Sequence, residues 1–295
     1  MGKILFIINP VAGGGKAKTL IPMIKTTMDK HNIEYHIELT KKPKEAISIA
    51  EESIDKYDII VAVGGDGTVN EVAKGLINKG RGTLGIIPGG TGNDMAKSLG
   101  IHINPARALE VLCKKVKRDI DIGNVNGFNF LNIASVGFDA EVVINNIKIK
   151  KKIKSSFSYA ISVVYTLFSF KKKKIEIEID GKKIEEKIIL LAVGNGKYYG
   201  GGMKILPMAK IDDGYFHICI VSRVSKLKLL YLFPTIFKGN HIKYDKYVKI
   251  YKAKTIKVNA EEEVYLNIDG EIVSKTKEIL FSMEEKKLNV IYEEK

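Results

Sequence analysis

Long apolar runs are missing. Nowhere in the 295 residues do about 18 hydrophobic residues follow one another, so no segment is suited to span a bilayer as a helix. Cysteine is scarce. Cys113 and Cys219 lie far apart in apolar settings, which disfavours a disulfide framework or a cysteine-built metal cluster and suits the reducing cytoplasm. The five histidines show no metal-ligand spacing, so a structural zinc site is not expected. The short apolar run Ile4–Ile8 is followed by no small-residue cleavage site and reads as a first β-strand, not as a signal peptide. No internal repeat or long linker is apparent.

What remains is a globular composition, with 45% hydrophobic and 28% charged residues. The formal net charge of +14 is the compositional feature with functional content. It suits an anionic partner, whether nucleic acid, a membrane surface or phosphates; a basic surface without a dedicated partner accounts for it equally well. No recognised nucleic-acid-binding module accompanies the charge, so nucleic acid is the weakest of these readings.

Strands and helices alternate from residue 3 to about 115. Lys3–Ile8, Tyr35–Leu39, Asp58–Val63 and Leu84–Ile87 read as strands. Helices are expected over Lys16–Lys30, near Pro43–Ser53, from about Thr68, and from Asn104-Pro105 to Lys115. That alternation predicts a parallel sheet covered on both faces. After about residue 118 the pattern changes. Asn126-Gly127 and Asp180-Gly181 sit between alternating runs as hairpin turns do, and Lys174–Asp180 alternates as a strand with one wet face. Further strands are expected at Ile188–Val193, Tyr215–Val221, Lys254–Val258, Val264–Ile268 and Leu288–Tyr292, with helices at Ser155–Phe170 and Lys226–Phe237. The expected fold class is α/β: an N-terminal α/β nucleotide-binding domain plus a β-rich, β-sandwich-like second domain, with the active site in the interdomain cleft.

Three of the strands end in unusual turns: Asn9-Pro10-Val11-Ala12-Gly13-Gly14-Gly15-Lys16, Gly64-Gly65-Asp66-Gly67-Thr68-Val69-Asn70-Glu71, and Pro88-Gly89-Gly90-Thr91-Gly92-Asn93-Asp94. Ligands of open α/β sheets bind outside the carboxyl ends of the strands, where such turns converge. Glycine lets the backbone approach closely, and helix N-terminal N–H groups bind phosphate. One such turn is a common tight connection; three at successive strand ends, two of them carrying an Asp, point to a phosphate site. Neither Gly-x-x-x-x-Gly-Lys-Ser/Thr nor a convincing Gly-x-Gly-x-x-Gly is present in the first turn, which disfavours ordinary P-loop and Rossmann readings.

Gly64–Val72 resembles the signature loop of the diacylglycerol kinase catalytic domain, shared with sphingosine and ceramide kinases. Its Gly-Gly-Asp-Gly-Thr core also occurs in NAD kinases and, in related form, in phosphofructokinases. Pro88–Ala96 resembles the lipid-kinase branch specifically, and Asn9-Pro10 and Gly137-Phe138-Asp139 extend the match. Lys210–Phe216 resembles the segment that holds a structural magnesium ion in bacterial diacylglycerol kinases. That resemblance implies Asp213 as a side-chain ligand, with Lys210 and Tyr215 ligating through backbone carbonyls. Asn267-Ile268-Asp269-Gly270-Glu271 resembles the family's Asp-Gly-Glu turn, whose Glu is the proposed general base. The resemblance runs through nearly the whole chain. It implies domains at 1–122 plus 282–295 and at 123–281, with a C-terminal segment returning to the first, and it allows a homodimer.

The implied activity is ATP-dependent phosphorylation of a lipid hydroxyl, with diacylglycerol the favoured acceptor and phosphatidic acid the product. Phosphatidylglycerol, ceramide, a sphingoid base or, less favoured, NAD are the alternatives. ATP would lie along Asn9, Pro10, Val11, Ala12 and Gly13 and along Gly64, Gly65, Asp66, Gly67, Thr68, Val69 and Asn70. Thr40 and Thr91 match further nucleotide positions. Because phosphoryl transfer is mainly positioning and charge neutralisation, Mg²⁺ and backbone donors are expected to do most of the work, with Asp66 and Asp94 orienting the Mg²⁺–phosphate unit. Glu271 would take the proton of the attacking hydroxyl, and Asp269 would position that base or shape its turn. Each has a plainer reading: Asp66 as a turn-stabilising residue, Asp94 as a helix cap with Asn93, Glu271 as an exposed hairpin carboxylate, Asp213 as part of a routine turn.

Lys148, Lys150–Lys152, Lys154 and Lys171–Lys174 flank an apolar stretch with Phe157, Tyr159, Val163, Val164, Leu167 and Phe168. Such a helix suits either an anionic membrane surface, met peripherally on its cytoplasmic inner face, or a core. A catalytically silent lipid- or nucleotide-binding protein is a third function class; the presence of Asp66, Asp94 and Glu271 together argues against it.

Overall fold

In the first third of the chain Ile4–Ile8 and Ile59–Gly64 carry no polar side chain, which is the pattern of a parallel sheet buried on both faces. A computed structural model describes residues 3–152 and 158–293. The N-terminal part runs β1 (Ile4–Ile8), α1 (Lys16–Thr19), α2 (Ile21–Lys30), β2 (Tyr35–Leu39), α3 (Glu45–Ser53), β3 (Ile59–Gly64), α4 (Asp66–Lys79), β4 (Thr83–Pro88), α5 (Asp94–Ser98), α6 (Pro105–Lys114) and β5 (Lys117–Ile120). Every residue of β1, β3 and β4 is buried, whereas β2 lies at the sheet edge and is half-exposed. β1 pairs in parallel with β2 and β3, and β3 with β4. The register sets Ile8 against Val63 and Gly64 against Pro88, so all three glycine turns leave the sheet at one edge.

The helix expected over Lys16–Lys30 is two helices, because Pro22 stands in the first turn of α2 and has no N–H to give to the preceding turn. At α6, Asn104 Oδ1 accepts the Ala106 amide at 2.9 Å ahead of Pro105, as the sequence predicts.

The second part runs β6 (Gly123–Val125), β7 (Phe128–Phe130), β8 (Ile133–Gly137), α7 (Phe138–Lys152), α8 (Ser158–Ser169), β9 (Lys173–Ile179), β10 (Lys182–Gly194), β11 (Phe216–Ser222), α9 (Lys226–Leu232), β12 (Val248–Ala253), β13 (Thr255–Ile268) and β14 (Glu271–Met283). Its pairs are antiparallel and ordered β12-β11-β10-β8-β13-β14-β6-β7. β9 joins the near halves of β10 and β13, whose far halves flank β8, so the two long strands turn the sheet around an apolar core. Phe130, Phe216 and Phe281 meet there, the first two stacked at 5.7 Å. Both predicted hairpin turns are present: Asn126-Gly127 and Asp180-Gly181 have positive φ at both residues, which suits two-residue loops.

Three expectations need correction. Lys254–Val258 and Val264–Ile268 belong to one strand, β13, with a register irregularity between Asn259 and Val264. The helix expected over Lys226–Phe237 is α-helical to Leu232 and then a 3-10 turn over Phe233–Lys238, with Pro234 in its first turn. α7 is a helix that the sequence pattern does not announce, and it takes in Lys148. Of the expected Ser155–Phe170 helix, residues 155–157 lie outside the described residues, as do Lys154 and the side chains of Lys150, Lys152 and Tyr159.

A final strand, β15 (Leu288–Ile291), returns to the first sheet, parallel to β4 and antiparallel to β5. β5 therefore makes the first sheet mixed at its edge. The chain forms two compact units, Met1–Ile122 with Glu284–Lys295, and Gly123–Met283. No helix of the described residues is long and apolar enough to cross a membrane.

Candidate active site

In the first unit the three glycine turns pack backbone on backbone. Gly89 donates its amide to Gly64 O at 2.8 Å, Asn9 donates to Val63 O at 3.2 Å, and Thr40 donates to Ile8 O at 3.0 Å. A Cβ on Gly13 would stand 2.2 Å from Gly89 O, and one on Gly90 would stand 2.3 Å from Gly65 Cα. Gly13, Gly14 and Gly15 all have positive φ, a run that other residues adopt only at a steric cost. Asn9 Oδ1 accepts the Val11 amide at 3.2 Å and shapes the first turn.

α4 starts at Asp66, directly after Gly65, so the unpaired amides of a 14-residue helix open on this edge. Thr68 is buried over Gly64, and Gly67 has open space where its Cβ would be. Asp66 Oδ1 accepts the Met95 amide at 3.1 Å, joining the second turn to α5. Asp94, the first residue of α5, is buried, with Lys97 Nζ at 3.5 Å. Asn93 closes the third turn on itself: its side chain accepts from Gly90 N and donates to Gly90 O. Thr91 is exposed beside it. The structure thus gathers Asn9, Thr40, Gly64–Thr68 and Pro88–Asp94 at one sheet edge, rich in backbone N–H groups and carrying two carboxylates.

In the second unit Asp269 and Gly270 form the β13–β14 turn, with φ of +48° and +94°. The Asp269 carboxylate accepts the amides of Leu131, Asn132 and Ile133 at 3.3, 3.2 and 2.9 Å. It holds the turn against the start of β8 and presents Glu271 exposed at the first position of β14. Below this turn lies a buried polar cluster, of which the sequence motifs mark Asp139 and Asn267 but not Ser135. Asn267 Nδ2 donates to Asp139 Oδ2 at 3.1 Å and to Ser135 Oγ at 3.2 Å, and Ser135 Oγ also donates to Asp139. Burial pushes the Asp139 carboxyl up, against the pull of the Ser135 and Asn267 bonds.

The proposed magnesium ligand Asp213 is already paired. Its Oδ2 lies 2.9 Å from Lys252 Nζ and 3.2 Å from His217 Nε2, while Oδ1 accepts the Tyr215 amide at 3.2 Å. Burial opposes the carboxylate's charge, but the Lys252 and His217 bonds outweigh it and hold its pKa below the ordinary value. Burial holds the His217 pKa down despite Asp213. One carboxylate with the carbonyls of Lys210 and Tyr215 suits a hard cation in kind. The Lys252 ammonium occupies the same oxygen, so an added ion would have to displace that half-exposed side chain. Mg²⁺ is accordingly expected to leave the melting temperature of the parent protein unchanged. In Lys252→Met, millimolar Mg²⁺ is expected to raise it measurably by binding the vacated carboxylate. A Mg²⁺-dependent rise in the parent, unaltered by the substitution, would show that the ion does not compete with Lys252.

The second unit also encloses an apolar cavity of about 960 Å³, its open mouth included. α8 contributes Val163 and Leu167, and α9 with the following 3-10 turn contributes Leu229, Leu232, Phe233 and Ile236. Two buried polar side chains interrupt this lining: Asp139 and His241. His241 Nε2 is 3.0 Å from Ile205 O, its Nδ1 is buried without a partner, and burial lowers its pKa. Nothing in the residue pattern signals a cavity, since its wall residues have the spacing of ordinary core-packed helices.

Residues 3–125 match the family model for the diacylglycerol kinase catalytic domain, and residues 132–292 match that for the YegS C-terminal NAD kinase beta sandwich-like domain. A diacylglycerol kinase of Staphylococcus saprophyticus is 33% identical over 90% of this chain and 87% of its own length. The chain belongs to the diacylglycerol kinase family. A crystal structure of a diacylglycerol kinase from Bacillus anthracis shares 29% identity with this family member at a TM-score of 0.76, covering 99% of this chain and 97% of that one. An NAD kinase from Archaeoglobus fulgidus, solved with ATP, is 16% identical with a TM-score of 0.57 over 100% of this chain and 94% of its own, a likeness of fold alone. Membership makes the chain a kinase of the lipid-kinase class, with ATP as the phosphoryl donor.

Proposed function

We propose that the protein transfers the γ-phosphoryl group of ATP to the free hydroxyl of diacylglycerol, giving phosphatidic acid. The observation that carries the lipid reading is the apolar cavity of the second unit. Its wall is aliphatic and aromatic almost throughout, and an aliphatic chain is the chemistry that such a wall accepts. NAD, polar and charged throughout, finds no counterpart there. Diacylglycerol leads over other lipids because relatives covering most of the chain carry that name.

The nucleotide is assigned to the gathered turns of the first unit. Amides from the glycine turns and the start of α4 stabilise phosphate charge; Asp66 and Asp94 are the carboxylates for the Mg²⁺ that accompanies ATP. Glu271 is assigned as general base to the lipid hydroxyl. Asp269, engaged by three backbone amides, is a positioning residue.

The test is γ-labelled ATP and Mg²⁺ with diacylglycerol, phosphatidylglycerol, ceramide, sphingosine or NAD offered separately. Label in phosphatidic acid is the expected result; label in NADP or in another lipid moves the acceptor. The cavity assignment makes a separate prediction. Val163→Trp and Leu229→Trp, which fill the wall, are expected to raise the KM for long-chain diacylglycerol about 10-fold or more, with the KM for ATP unchanged. An unchanged lipid KM in both variants would place the acyl chains elsewhere.

A further inference from the structure

The helices that wall the cavity are apolar on their outer sides too. On α8, Val164, Tyr165 and Phe168 are 50, 57 and 61% exposed. On α9, Leu227 and Tyr231 are 76 and 77% exposed, and Phe237 in the following 3-10 turn is 48% exposed. The two elements are joined, with Lys226 Nζ donating to Phe168 O. A helix apolar all round belongs in a core or against a membrane, and these are clothed on one side only.

The charge around them has one sign. No Asp or Glu occurs between Glu141 and Glu176, or between Asp213 and Asp245. These stretches carry Lys148, Lys171, Lys172, Lys226, Lys228 and Lys238 among their basic residues. The neighbouring acids Glu141 and Glu186 are taken up by Lys173 and Arg223. A protein partner with an acidic face would match the charge, but it offers no reason for the apolar side chains to back directly onto an apolar cavity.

We propose that α8 and α9, with the 3-10 turn that follows, form a face that inserts shallowly into an anionic phospholipid bilayer, so that a lipid chain enters the cavity without crossing water. Phe168, Leu227, Tyr231 and Phe237 sit among the acyl chains and the lysines meet the headgroup phosphates. This face adds α9 to the basic, apolar stretch that stands out in the sequence. The inference deepens the lipid-kinase reading and rests on it for its purpose, not for its test.

The test is co-sedimentation with vesicles of phosphatidylcholine containing phosphatidylglycerol, against vesicles of phosphatidylcholine alone. The parent protein is expected to bind the anionic vesicles at least about 10-fold more tightly, and less so as salt rises. Leu227→Ser with Tyr231→Ser is expected to lower anionic-vesicle binding about 10-fold. That variant should lose turnover of vesicle-borne long-chain diacylglycerol while retaining turnover of a water-soluble short-chain one. Lys171→Gln with Lys172→Gln, both exposed, gives a second variant should the first fail to fold, and it should reduce binding to anionic vesicles alone. The chain has no Trp, so Leu227→Trp reports directly through a blue shift of emission on anionic vesicles. Undiminished vesicle binding by the variants, equal binding to both vesicle types, or no blue shift would overturn the proposal. Vesicle binding that follows the predicted pattern without turnover of any lipid would sustain this face and overturn the acceptor assignment instead.

Discussion

Glu271→Gln is expected to reduce phosphoryl transfer to diacylglycerol by about 10²–10⁴-fold, the usual contribution of a general base, while ATP still binds. Glutamine keeps the size and exposure of the side chain and removes its ability to take a proton. As Glu271 is exposed at the start of β14, the melting temperature should hardly move. Asp269 provides the contrast. Its carboxylate holds three backbone amides of the Leu131–Ile133 segment, so Asp269→Ala should cost about 2–4 kcal/mol of stability, read by denaturant unfolding, together with activity. Retention of parent turnover by Glu271→Gln would remove this residue from the chemistry. A stability loss in Glu271→Gln as large as that in Asp269→Ala would reduce Glu271 to a part of the turn.

Gly90→Ala should be the most damaging one-carbon change in the nucleotide edge. The added methyl would stand 2.3 Å from Gly65 Cα, a backbone atom that cannot rotate aside, so the second and third turns must separate. Overpacking of this kind costs about 1–3 kcal/mol. Separation would also displace α5, which Asp66 tethers through the Met95 amide, and ATP affinity should fall by at least about 10-fold in equilibrium binding. Gly67→Ala distinguishes packing from ligand contact. Nothing lies within 4 Å of its Cβ position, and alanine favours a helix over glycine by about 1 kcal/mol. This variant should be at least as stable as the parent, yet bind ATP more weakly, because the space that the methyl enters is assigned to phosphate. Unimpaired ATP binding in both variants would move the nucleotide away from these turns.

The gathering of the glycine turns was legible because glycine clustered at a strand end marks a turn where the backbone comes close to something. The parallel register of β1, β3 and β4 then brings the three turns together without further information. Pro22 carried the signal for the break between α1 and α2, but the apolar periodicity on either side of it masked the boundary. The antiparallel edge made by β5 was not readable, since it depends on a strand that arrives about 170 residues later, as the Asn289–Asp119 hydrogen bond shows. Asp213 was singled out by the resemblance of Lys210–Phe216 to a magnesium-holding segment, while its surroundings in the fold were not readable. Its neighbour Lys252 comes from β12, and only the β11–β12 register, Lys252 opposite His217, places that ammonium there. The cavity was hidden for a different reason: periodicity reports that a side chain is apolar, not whether it meets protein or empty space.

The return of β15 has a consequence for how the protein is made. The strand that stands between β4 and β5 is synthesised after the whole of the second unit, so a nascent chain carries its glycine turns on an unfinished sheet until that unit has been made. The two units cannot be acquired one after the other like beads on a string, nor divided at Ile122 into two working halves. A ribosome that stalls before Leu288 leaves β4 with an unpaired edge, a site for aggregation and for proteolysis, and the glycine turns without their full support. Arrival of β15 is therefore the step that completes the first sheet.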